Sequence, residues 1–184
     1  MLEKYVFSSI EERQILNFVR QVIANYLDGA PEAILPQIPV LEEKASCFVA
    51  LYLDGQLRGC IGSIEPFESL ADNLRSNAIG AATLDISFAP LELDDLDNCR
   101  IEVSIISSLK EIFSLNDFTL GQDGVVIKSG QKSSVFLPQV PLEQHWSKET
   151  TLGYLAKKAG LSFDSWKEKD VQIFTFQTKI FGEK

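Results

Sequence analysis

The run SCFVALYLDGQLRGCIGSI, from Ser46 to Ile64, constrains the fold of this chain more than any other segment. Ser46 to Leu53 and Leu57 to Ile64 are rich in β-forming residues, and Asp54-Gly55 between them is a two-residue turn that suits an antiparallel hairpin. An isolated hairpin is barely stable in water, so apolar elements must cover it. Two flanking segments have the required pattern. Upstream, Ser8 and Ser9 each precede a glutamate by three residues, Glu11 and Glu12, a double capping-box signal. The stripe Ile15, Leu16, Phe18, Val19, Val22, Ile23, Tyr26 and Leu27 follows, and Asp28-Gly29 closes the helix. Downstream, Leu70, Leu74, Ala78 and Ala81 or Ala82 recur at helical spacing, a buried face whose alanines allow close packing. Pro66 is expected in the first turn of that helix.

Between the first helix and the hairpin, Ala30 to Val40 carries Pro31, Pro36 and Pro39 and reads as a loop. The acidic run Glu92 to Asp97 precedes a strand from Arg100 to Ser107. Val125 to Lys128 and Ser133 to Leu137 form a meander that Pro138 and Pro141 break. A helix from about Thr151 to Ala159 stops at Gly160, and Val171 to Phe181 reads as one long closing strand. This order predicts an α+β fold with a largely antiparallel sheet flanked by helices. At 184 residues, the chain is expected to form a single domain over 1–184.

Composition narrows the function classes. No apolar run reaches the ~18 residues of a membrane span, and the start MLEKYVFSSIEERQ lacks the cationic and apolar regions of a secretory leader, so a cytoplasmic location is expected. Cys47, Cys60 and Cys99 are odd in number, widely spaced and never arranged as CxxC, which argues against a disulfide framework or a zinc ribbon. His145 is the single histidine, so neither a metal nor a cofactor is implied. A net charge of -9 opposes phosphate-backbone binding, which rests on clustered Lys and Arg, and leaves nucleic acid an unfavoured partner.

The most distinctive chemistry lies in LRGCIG: Leu57, Arg58, Gly59, Cys60, Ile61 and Gly62. In a regular strand Arg58 and Cys60 share one face, roughly 7 Å apart, with Leu57 and Ile61 on the other. A guanidinium there would favour the thiolate, the nucleophilic form. Gly59 and Gly62 allow another group to approach the backbone closely. The alternative is that Cys60 is a small core side chain and the glycines let the protein's own helix pack tightly. A cysteine nucleophile needs a base, and His145 lies in the distant polar segment QHWSKE. The GxxG spacing of Gly59 to Gly62 sits in a strand, unlike a nucleic-acid clamp loop. A strand running into a helix N-terminus near Pro66 suggests capture of a small anionic ligand, unless Glu65 caps that end. Arg75 and Asn77 on the alanine-rich helix are binding candidates or solvated surface. Glu102 is either a partner for Arg58 or part of the wet sheet face.

Taken in order, LRGCIGSIEP, LADNLRSNAIGAAT, IEVSIIS, DGVVIKSG and VFLPQV give a sequence that resembles the AMMECR domain family, which includes protein A of the bacterial AmmeMemoRadiSam system. The resemblance implies an AMMECR-like α+β domain with two unequal lobes, LRGCIG as its hallmark, and association with Memo-like and radical SAM proteins. It implies no settled reaction. Where the family commonly has Asp-Pro-Arg-Phe, this chain keeps Asp85 and Phe88 but has Ile86 and Ser87 between them. The first expectation is therefore an accessory component that binds a ligand or partner in a groove near the hexapeptide. The alternatives are a cysteine-dependent enzyme using Cys60 with Arg58, and a nucleic-acid-associated regulator.

Overall fold

A computed structural model describes residues 5–184; the leader expectation rests in part on residues 1–4 and to that extent lies outside the described residues. The architecture is α+β, with two four-stranded sheets. The chain divides into two compact units, one of residues 107–178 and one of the residues up to 106 with 179–184.

In the second of these units, helix α1 (Ser9–Asp28) begins at N-cap Ser8, which forms the capping box with Glu11, and ends at Gly29 with a left-handed φ of 69°. Strands β1 (Ser46–Leu53) and β2 (Gln56–Gly62) form the expected hairpin. Its turn residues Asp54 and Gly55 both have positive φ, 52° and 77°, as a tight turn matched to strand twist requires. Helix α2 spans Leu70–Thr83, and β3 spans Cys99–Ile106. The predicted stripe Leu70, Leu74, Ala78, Ala81 and Ala82 is buried against Cys47, Val49 and Leu51 of β1 in one apolar core with α1.

The α2 start corrects an expectation. The N-cap is Ser69, whose hydroxyl accepts from the Asp72 amide, so Pro66 lies outside the helix and Glu65 does not cap it. The amide of Leu70 donates to Glu43 O at 2.8 Å, so the protein itself uses amides at this helix end.

The unit of residues 107–178 holds β4 (Lys110–Ile112), β5 (Gly124–Ser129), β6 (Lys132–Phe136), the short α3 (Gln139–Glu143), α4 (Lys148–Lys158) and β7 (Gln172–Phe176). Its sheet has the order β4-β7-β5-β6, and Leu152, Leu155 and Ala156 of α4 bury its core with Val125 and Ile127. The expected long closing strand is in fact two: after Gln177 the chain enters β8 (Thr178–Gly182), the last strand of the order β2-β1-β3-β8. Side-chain alternation carries across such a sheet change without a turn residue to mark it.

Candidate functional site

Strand β2 is an edge of its sheet, and the protein closes that edge itself. Gly59 faces α2: a Cβ there would overlap the Ala81 carbonyl oxygen and stand 3.0 Å from its carbon. Ile61 packs toward Gly80 of the same helix, and a Cβ on Gly62 would fall into the Phe48 ring. Both hexapeptide glycines thus serve close internal packing.

The segment that leaves α2 folds over the outer edge. The Cys60 amide donates to Asp85 Oδ2 at 2.9 Å, and the Ser87 amide to Asp85 Oδ1 at 3.0 Å. Burial pushes the Asp85 carboxyl up, but the hydrogen bonds from Cys60 and Ser87 outweigh it and hold the carboxyl below its ordinary value. Arg58 donates from Nη1 to the Ala89 carbonyl and from Nη2, at 3.1 Å, to that of Pro90.

A bulge explains the aim of Arg58. Leu51 pairs with Gly59 but Tyr52 pairs with Leu57, so Arg58 is the extra residue. The regular alternation expected for this strand is therefore interrupted. Leu57, opposite Tyr52, joins Cys60, opposite Ala50, on the face away from the helices. The Arg58 guanidinium is engaged by the Ala89 and Pro90 carbonyls of the loop. Glu102, read as a partner for Arg58 or part of the wet sheet face, pairs instead with Arg100, a neighbour on the same strand, at 3.4 Å.

Three cross-strand rows make up that face. Leu57, Tyr52 and Arg100 form one, with the guanidinium 4.3 Å from the Tyr52 ring centroid. Cys60, Ala50 and Glu102 form the next, and Gly62, Phe48 and Ser104 the third. In the middle row small Ala50 separates a partly buried thiol from a carboxylate, two strand spacings or roughly 10 Å away. Phe48, Ala50 and Ser104 of these rows are buried, so exposure is confined to the rim, where Leu57 stands; the Glu102 carboxylate is paired with Arg100 and Arg58 with backbone carbonyls.

The remaining candidates lie elsewhere. Asn77, read as ligand-binding or solvated, is buried and donates to Cys47 O at 3.0 Å and Asn73 Oδ1 at 3.0 Å. Asn73 accepts from the Cys47 amide at 2.8 Å and donates to Ser63 Oγ at 2.8 Å and Glu68 Oε1 at 2.9 Å. These side chains continue the ladder where β2 ends. Arg75 pairs with Glu32 at 3.2 Å, and His145 is exposed in the other compact unit. Burial pushes the Cys47 thiol up to about 12 and raises that of Cys99, which leaves Cys60 as the least buried cysteine. Among the described residues, no group of three or more His, Cys, Asp or Glu is arranged to hold a metal ion. The reading of site residues missed Asn73, whose signal was its spacing of four from Asn77 within an apolar helix.

The chain is 39% identical over 177 residues to protein MJ0810 of Methanocaldococcus jannaschii, covering 91% of this chain and 88% of that protein. It is 33% identical to protein NEQ441 of Nanoarchaeum equitans, over 92% and 98% of the two chains. The crystal structure of an uncharacterized protein, PH0010 from Pyrococcus horikoshii, superposes with a TM-score of 0.87 at 32% identity, covering 92% of this chain and 90% of that one. The AMMECR1 family model matches residues 16–181, spanning most of both compact units. With the family model matched over residues 16–181 and a 39% identical relative covering 91% of its length, this chain belongs to the AMMECR1 family.

Proposed function

We propose that the protein is a non-enzymatic accessory component that docks a protein partner at the hexapeptide edge, where Leu57, Leu84 and Ile86 are exposed, and that its two units act as one AMMECR1 domain. The observation that carries this reading is apolar exposure at the closed edge. Leu57, Leu84 and Ile86 are all exposed, Ile86 completely, and Leu84 and Ile86 flank the Asp85 that holds the Cys60 amide. Large exposed apolar side chains on both segments that meet at the Asp85–Cys60 hydrogen bond favour burial by a partner. Arg58 is already engaged by two loop carbonyls, and the one histidine that could serve as a base, His145, lies in the other compact unit, which favours docking over cysteine catalysis. Family resemblance supplies the candidate partners, a Memo-like protein and a radical SAM protein.

Thiol labelling tests the proposal. In the native protein Cys60 is expected to react first, with Cys47 and Cys99 reacting only after unfolding. Adding the Memo-like or radical SAM protein from the same genome should slow Cys60 labelling, and Ile86→Asp should abolish that protection. Unchanged labelling with both proteins, together with separate elution on gel filtration, overturns the assignment; so does substrate turnover by the purified chain alone.

A further inference from the structure

We infer that the small cleft between α1, α2 and the proline-rich loop binds a small organic monocarboxylate, with Arg75 as the anion-binding group and Glu32 as a built-in competitor for it. The cleft has a volume of about 170 Å³ and lies apart from the hexapeptide residues. Its walls include Val22, Ala33 and Ile79, with Tyr26 and the two charged groups Arg75 and Glu32 at its lining.

Arg75 is unusual in what it lacks. Its side chain is only 29% exposed, and its Nε is buried with no hydrogen-bond partner. The guanidinium lies 5.6 Å from the Phe18 ring centroid, and among the described residues its ion pair is a single 3.2 Å contact from Nη1 to Glu32. A guanidinium has five donors in a planar fork matched to a carboxylate, and leaving buried donors unmet costs free energy. Glu32 is a weak answer to that demand. Its side chain is 81% exposed on a loop, so it swings into water at little cost. Its carboxylate nevertheless marks the place where a carboxylate meets Arg75 at the mouth of a partly apolar cleft. The aliphatic wall selects a short hydrocarbon tail, and the cleft is smaller than the ~300–1,000 Å³ of sites for drug-sized ligands, which limits the occupant to a compact acid.

The test is an NMR titration of the full chain at pH 7 with sodium isovalerate and, separately, with its neutral isostere isovaleramide. Isovalerate should give saturable shifts at the Ala33 and Ile79 amides, and isovaleramide none. Glu32→Gln removes the competitor and should tighten isovalerate binding about two- to fivefold, the scale of an exposed ion pair. Arg75→Gln should weaken it at least about tenfold, the scale of a lost charge-assisted hydrogen bond. No saturable shift up to the solubility of the salt, equal binding of acid and amide, or a Glu32→Gln variant that binds no tighter overturns the inference. Should Arg75→Gln fail to fold, the acid–amide comparison on the unaltered chain and the Glu32→Gln result decide it.

Discussion

Gly59→Ala tests whether the hexapeptide closes the fold. The added methyl would overlap the Ala81 carbonyl oxygen and lie 3.0 Å from its carbon, so β2 and α2 must separate. Neither side can yield locally. Ala81 belongs to the backbone of α2, and Gly59 is paired with Leu51 in the ladder to β1. Restoring an ordinary contact with that oxygen takes roughly 1.5 Å of displacement. That movement would loosen Ile61 against Gly80 and the packing of Leu74 and Ala78 on β1. Overpacking costs about 1–3 kcal/mol, and backbone on both sides places this substitution near about 3 kcal/mol. Against a typical total of about 5–15 kcal/mol, that is a large fraction. Urea unfolding followed by circular dichroism at 222 nm reads the loss, because α1 and α2 lie in the affected unit. Tryptophan fluorescence provides a contrast, since Trp146 and Trp166 both belong to the other unit. A loss below about 0.5 kcal/mol, the range of an inconsequential surface change, would refute the reasoning.

Asn73→Ala should cost about 2 kcal/mol in the same urea assay, because it leaves the buried Cys47 amide without its 2.8 Å acceptor; a neutral result would mean that water takes over the role. Asp85→Asn should change the acid dependence of stability. The native carboxyl is held below its ordinary value of 3.8, so its contribution is fully present above that pH and is lost as pH falls through the lower native value. The variant should therefore be less stable than the native chain at pH 7, and the gap should narrow at acidic pH. A gap independent of pH between neutrality and strong acid would show that ionisation of Asp85 contributes nothing.

What the sequence revealed was local. The capping box at Ser8 and Glu11, the Gly29 stop and the Asp54-Gly55 turn depend on residues a few positions apart, and each is present. Ser69 with Asp72 carried an equally local capping signal, but Pro66 drew the predicted helix start too early. The bulge at Arg58 was invisible because register depends on the partner strand, and it changes which side chains stand with Cys60. The switch between sheets at Gln177 left no mark in an alternating segment for the same reason. Asn77 was read as a binding candidate or solvated surface, and its buried role in extending the sheet was missed because it depends on the unpaired end of a neighbouring strand.

The hexapeptide consists largely of groups spent on the protein itself: two glycines on packing, Arg58 on loop carbonyls, and the Cys60 amide on Asp85. A function at this place is therefore best served by the exposed side chains of Leu57, Leu84 and Ile86. Charge then limits the partner. Residues 107–178 hold eight lysines and eight acidic residues, so the whole net charge of -9 falls on the unit that carries the hexapeptide, which has nine basic and eighteen acidic residues. An apolar patch set in an acidic unit repels an acidic partner and favours one whose apolar contact is rimmed by Lys or Arg. The charge that opposes nucleic acid for the chain as a whole thus falls on the unit in which the docking is proposed, and it favours a basic protein surface over a phosphate backbone.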